Sequence, residues 1–123
     1  LTVMMFFRLD CKVCLQMIEP LKQLNQKYKN QKIFVLMISI DESDKQSEIM
    51  QVIEKNKIWI PVGYDSYTKN YVSKRYLGSD LLLPNLFLID NKGKILFEFD
   101  SLIGLFERLS ALIEGHIQLE VHQ

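Results

Sequence analysis

A six-residue apolar run, Thr2 to Phe7 (TVMMFF), leads through Arg8, Leu9 and Asp10 into Cys11-Lys12-Val13-Cys14, and from Cys14 onward the apolar positions fall at helical spacing. This succession of strand, short turn and helix fixes where the only two cysteines of the chain stand. The strand is continuously apolar, as expected where both faces of a sheet are covered. Met17, Ile18, Leu21, Leu24 and Tyr28 trace one helix face, while Gln16, Glu19, Lys22, Gln23, Gln26 and Lys27 occupy the other. Pro20 sits inside this helix, where it removes a hydrogen bond and is expected to kink it. Asn30 is the expected stop.

The same reading continues along the chain. Ile33 to Ile40 (IFVLMISI), interrupted by Ser39, reads as a second buried strand. Ser43 with Gln46 resembles a capping box ahead of a helix through Ile49, Met50, Val52 and Ile53 to about Asn56. Ile58 to Val62 (IWIPV) is a short strand with Trp59 in its core, and Pro61 marks it as an edge. Tyr67, Tyr71, Val72 and Tyr76 give a third helix ending near Gly78, and together with Tyr64 they read as packing and edge cover. Met4, Met5, Met17, Met37 and Met50 read as core filling. Leu86 to Asp90, the turn Asn91-Lys92-Gly93 and Ile95 to Phe99 form a hairpin. Leu102, Leu105, Phe106, Leu109, Leu112 and Ile113 trace a closing helix with Ser101 as N-cap and Gly115 as stop, leaving 116–123 as a tail. Parallel βα units followed by a hairpin and helix imply an α/β fold, a central mixed sheet with helices on both faces. With no repeats or linkers, residues 1–123 read as one domain.

Composition narrows the partners. Fifteen basic and fifteen acidic side chains cancel, so no surplus positive charge recommends nucleic acid or an anionic membrane surface as partner. No run approaches the roughly 20 apolar residues of a membrane-spanning helix. No leader peptide is visible either. The chain opens with Leu1 and enters a strand at once, from which we expect further sequence upstream.

Two cysteines separated by two residues at the opening of a helix suit thiol–disulfide chemistry. The thiolate is the nucleophile, and free cysteine has a pKa of about 8.5. Unpaired N–H groups and the helix dipole favour negative charge at the first cysteine, so Cys11 is expected to act as nucleophile and Cys14, one turn on, as resolver. Two other readings of the pair stand beside this one: core cysteines or an inert disulfide, and a zinc site completed by His116 and His122. Haem attachment would want a histidine where Leu15 stands.

Three segments resemble the thioredoxin-like superfamily, and within it the TlpA/ResA-like branch of thiol–disulfide oxidoreductases: Phe6 to Cys14; Ile60-Pro61-Val62-Gly63-Tyr64-Asp65 followed by Val72 and Tyr76; and Leu83-Pro84 through Ile95. The likeness runs from near residue 2 to about residue 113 and implies a thioredoxin fold. It also implies a cis peptide bond at Pro84, facing the cysteines, with the backbone of Leu83 pairing an extended substrate segment. A cis X-Pro bond is a minority state kept for tight turns. The chain departs from the family's pattern at several places. Asp10 stands where an aromatic residue is common; its carboxylate would raise the Cys11 pKa, and Lys12 would lower it. Met5 and Met17 stand where relatives often carry acids, which leaves the proton relay unassigned. Glu19 lies on the polar face and reads as solvated.

The expected function is dithiol–disulfide exchange with protein substrates, with no metal or organic cofactor and with a second redox protein recharging the pair. A monomer is expected, and the resemblance implies an extracytoplasmic, periplasmic setting, with membrane tethering through a missing N-terminal segment. The rival from another class is a redox-silent binding or chaperone-like domain with a static disulfide. A peroxidase ranks last, since no threonine lies near Cys11 to orient a peroxide.

Overall fold

Residues 1–66, 72–78 and 82–121 are described by a computed structural model. Five strands, β1 (Thr2–Phe7), β2 (Phe34–Ser39), β3 (Val62–Tyr64), β4 (Asn85–Ile89) and β5 (Ile95–Phe99), form one sheet in the order β3-β2-β1-β4-β5. β1, β2 and β3 run parallel, and β4 and β5 are antiparallel to their neighbours. Parallel neighbours need long crossovers. Here α1 (Lys12–Gln16) with α2 (Ile18–Lys27), and then α3 (Gln46–Lys55) after a 3-10 turn at Ser43–Lys45, supply them. α4 (Ser73–Leu77) precedes β4, and α5 (Leu105–Val121) follows β5.

The alternation of side chains along β1 divides the core in two. Val3, Met5 and Phe7 join Leu21 and Leu24 of α2, Ile49 of α3, and Leu105, Leu109 and Ile113 of α5. Met4 and Phe6 face the other way, where Phe87, Ile89 and Tyr76 of α4 cover them. Helices thus lie against both faces of a mixed sheet, as the order of elements implied. Across the first face, Tyr28 at the end of α2 donates its hydroxyl to Glu114 Oε1 of α5 at 2.8 Å. Burial first, and the Glu114 carboxylate second, hold the Tyr28 hydroxyl above its ordinary pKa.

Several local expectations need correction. Pro20 does interrupt its helix as expected: its missing N–H is the one that would have bonded Gln16, the last residue of α1, while Met17 between α1 and α2 keeps a helical backbone. No capping box forms at Ser43, because Ser43–Lys45 is a 3-10 turn and α3 begins without a side-chain cap. The third strand begins at Val62 rather than Ile58 and does lie at an edge. Pro61 has no N–H to give, and its carbonyl accepts the Met37 N–H at 3.0 Å where the ladder starts. Before it, Ile58 and Ile60 point inward while Trp59 is 72% exposed with Lys22 Nζ 5.0 Å over its ring, so Trp59 is not a core residue. Met50 is 49% exposed and accepts the Tyr64 hydroxyl at 3.7 Å. It is not core filling. Tyr67 and Tyr71 lie outside the described residues.

The closing helix differs most. Ser101 bonds the Ile103 N–H but does not cap α5, which starts at Leu105. Gly115 does not stop it, and the segment expected as a tail is helical through Val121. Ile117 repeats the Ile113 position four residues on and packs against the main core, which offsets the roughly 1 kcal/mol that a mid-helix glycine costs against alanine. A Cβ at Gly115 would meet nothing within 4 Å. Gly115→Ala is therefore expected to stabilise the fold by about 0.5–1 kcal/mol and raise Tm by a few degrees; a fall in Tm would contradict the continuous helix.

The hairpin is closed by Asp90, whose Oδ1 accepts the N–H of Lys92 at 2.9 Å and of Lys94 at 2.8 Å. Those backbone donors hold its carboxyl below the ordinary value of 3.8. A depressed carboxylate contributes stability that is complete above the ordinary value and is lost as pH falls through the folded one. Urea midpoints taken between about pH 5 and pH 2 are expected to fall with acid, and the Asp90→Asn variant should lack part of that slope.

Candidate active site

Phe7 ends β1, and the chain turns through 8–10 before α1. The turn is closed by the Cys11 N–H, which donates to the Arg8 carbonyl at 3.1 Å. Cys11 is the N-cap of α1: its backbone is extended, its carbonyl takes the Leu15 N–H at 3.2 Å, and its sulfur accepts the Cys14 N–H at 3.2 Å. Cys11 and Cys14 are joined as a disulfide with their Cα atoms 5.2 Å apart. The two sulfurs are not equivalent. Cys11 is only partly buried, whereas Cys14 has no exposure and lies in the main core with Met5 and Met17.

Leu83-Pro84 has a cis peptide bond and leads directly into β4. Phe6 of β1 pairs with Asn85, and one further step of that antiparallel register sets Phe7 against Pro84. The cis proline therefore stands at the sheet end where β1 hands the chain to the cysteines. Leu83 and Cys11 pack against the same core cluster. Cys11, Cys14, Leu83 and Pro84 are thus gathered at one end of the sheet. Asp10 and Lys12 flank Cys11 on exposed positions. Asp10 bonds Arg8 at 3.3 Å, an exposed pair that contributes little energy but sets a positive group beside the acid. Glu19 is exposed and paired with Lys22 at 3.2 Å, away from the sulfurs' core environment. His116 belongs to the opposite end: it lines a cavity with Leu1, where β1 begins, and Asn91, beyond the end of β4. That placement removes it as a zinc partner for the cysteines, and His122 lies outside the described residues.

Sequence reasoning missed two polar residues next to the site. Ser39 and Asp41 stand at the C-terminal end of β2, and the Asp41 carboxylate accepts the Leu9 N–H in the turn before Cys11. A signal was present: a serine inside an apolar strand must find a partner once buried.

A thioredoxin-like family model matches residues 1–95, from β1 to the first residue of β5. The chain belongs to the thioredoxin-like family. No curated protein matches it. Among solved structures, a candidate thiol:disulfide interchange protein DsbE from Chlorobium tepidum is similar, with a TM-score of 0.77 and 23% identity over 93% of this chain and 77% of the other. A thiol:disulfide interchange protein from Bacteroides sp. gives 0.75 and 18% over 92% and 72%. A secreted Mycobacterium tuberculosis disulfide oxidoreductase homologous to E. coli DsbE gives 0.70 and 15% over 89% and 80%. At these identities the likeness establishes the thioredoxin fold. Within that fold this thioredoxin-like chain carries the Cys11–Cys14 pair and the cis bond at Pro84, with methionines buried at positions 5 and 17.

Proposed function

We propose that this chain is a thiol–disulfide oxidoreductase that exchanges its Cys11–Cys14 pair with disulfides of protein substrates. The observation that carries the reading is the asymmetry of the pair: a reachable Cys11 at a helix N-cap, bonded to a Cys14 with no exposure. The Cys14 N–H aimed at the Cys11 sulfur favours its thiolate once the pair is reduced. That thiolate attacks one sulfur of a substrate disulfide. A Cys11–substrate bond forms, the substrate S–S bond breaks, and the leaving thiolate takes up a proton. Cys14, deprotonated, then attacks the Cys11 sulfur and expels the second substrate thiolate. Two electrons have passed from the dithiol to the substrate, and Cys11–Cys14 is again a disulfide.

Leu83, at the mouth of β4, pairs its backbone with an extended substrate segment, with Pro84 directing it toward Cys11. Asp10 and Lys12 act on the Cys11 thiolate in opposite senses, and Arg8 beside Asp10 offsets the acid. A second redox protein re-reduces or re-oxidises the pair, and the domain works as a monomer in which 1–123 is one unit. An extracytoplasmic setting is supported by the relative described as secreted; no helix among the described residues is long and apolar enough to cross a membrane. The test is reduction of insulin disulfides by the protein with dithiothreitol as reductant. Acceleration over dithiothreitol alone supports the reading, and none overturns it.

A further inference from the structure

Ser39 has no exposure, yet it carries a hydroxyl at the end of β2. That hydroxyl donates to Asp41 Oδ2 at 2.8 Å and accepts the Asp41 N–H at 3.0 Å. The Asp41 carboxylate, so oriented, accepts the Leu9 N–H, shared between Oδ1 at 3.2 Å and Oδ2 at 3.3 Å. On the other side, the Ser39 carbonyl accepts the Asp65 N–H at 2.7 Å. Asp65 in turn accepts the N–H of Val72 at 3.1 Å and of Ser73 at 2.6 Å, at the start of α4. One buried serine therefore ties the turn that carries the nucleophile to the helix that precedes the cis-proline segment.

We propose that Asp41 is a positioning residue for the nucleophile. By holding the Leu9 N–H it fixes the turn 8–10, and so keeps Cys11 at the N-cap of α1 with its sulfur on the Cys14 N–H; this rests on the exchange reading above. The effect is geometric rather than electrostatic. Charges of both signs surround the turn: Arg8, Asp10 and Lys12 along it, and Glu42, Asp44 and Lys45 around a cavity of about 480 Å³ that Arg8 and Asp41 also line. The Asp41 charge is one of several there, and a neutral Asp41→Asn variant separates its charge from its hydrogen bonds. The hydrogen bonds, by contrast, are specific. A nucleophile released from its fixed position loses rate steeply with displacement, and a sulfur that leaves the Cys14 N–H loses a donor to its charged form.

The test uses the reduced full chain and follows two quantities. One is the rate of Cys11 alkylation by iodoacetamide across pH, with the modified site read by peptide mass; the other is the rate of exchange with oxidised glutathione. Asp41→Ala removes both acceptors. Asp41→Asn keeps an oxygen for Leu9 and an amide that can donate to Ser39 Oγ, while removing the charge. For Asp41→Ala the alkylation profile is expected to move to higher pH and exchange to slow about tenfold or more, with Asp41→Asn within about threefold of wild type. Ser39→Ala, which leaves the carboxylate without its anchor, should shift the profile in the same direction and carries the test if Asp41→Ala does not fold. An alanine profile that superimposes on wild type overturns the proposal. So does an asparagine variant displaced as far as alanine, which would make charge the agent. If wild type itself fails to exchange, the proposed function is lost, while the alkylation profiles still decide the role of Asp41.

Discussion

Replacing Cys11 with serine is expected to cut insulin-disulfide reduction by about a thousandfold or more, down to the background of the chemical reductant. Serine is close in size and puts an N-cap oxygen where the sulfur stood, so α1 should still start where it does, and the loss would report chemistry rather than folding. Cys14→Ser should also lose turnover, but for a different reason. Its Cys11 remains partly exposed and can still attack, so a first, stoichiometric reaction survives while release fails. Multiple turnover is the readout for both, with far-ultraviolet circular dichroism as the control. Activity that persists in Cys11→Ser would remove the proposed nucleophile. Equal first-turnover behaviour of the two variants would remove the division of labour between the sulfurs.

Phe6→Ala is expected to be the most damaging change outside the cysteines, at about 3–5 kcal/mol of folding stability. Phe6 has no exposure. Its ring meets Phe87 edge-on at 6.0 Å and Tyr76 at 5.8 Å, and Tyr76 and Phe87 stand 5.2 Å apart. These three rings join β1, β4 and α4 across the second sheet face, where α4 provides the helical cover among the described residues. Truncation removes a large apolar area and both aromatic contacts at once, against a total stability of only about 5–15 kcal/mol for a domain of this size. Phe6→Leu, which refills most of the volume, should cost less than half as much. Urea unfolding of the three proteins measures the difference. A loss below about 1 kcal/mol for alanine would mean that α4 and its aromatic rings do not pack as described.

How much of this was legible in the chain depended on whether a signal was local. β1, β2, β4 and β5 are apolar runs bounded by turn residues, and they lie within a residue or two of where the pattern puts them. That the cysteine pair stands at the opening of a helix followed from the strand–turn–helix succession alone. Where the reading failed, a single residue had been given a fixed meaning that packing overrode. Gly115 reads as a stop, but Ile113 and Ile117 pack on one core stripe and the helix runs on. Trp59 reads as a strand core residue, although the alternation Ile58-Trp59-Ile60 sets it opposite two buried isoleucines. Ser43 has the spacing of a cap, but the chain closes a 3-10 turn there. Asp41 was invisible for another reason: its partner Leu9 is 32 positions away, and contacts across neighbouring strand ends leave no periodicity to read. The methionines at positions 5 and 17 were legible as departures, and the structure gives them their setting, fully buried in the core cluster that also holds Cys14.

The most direct measurement of the exchange chemistry is peptide mapping of a trapped intermediate. Reduced Cys14→Ser protein, mixed with a small disulfide-bonded peptide and quenched in acid, is expected to carry one half of that peptide on Cys11. Recovery of unmodified Cys11 after prolonged incubation at neutral pH, with the peptide disulfide intact, would contradict a nucleophilic Cys11 and leave the pair a static disulfide.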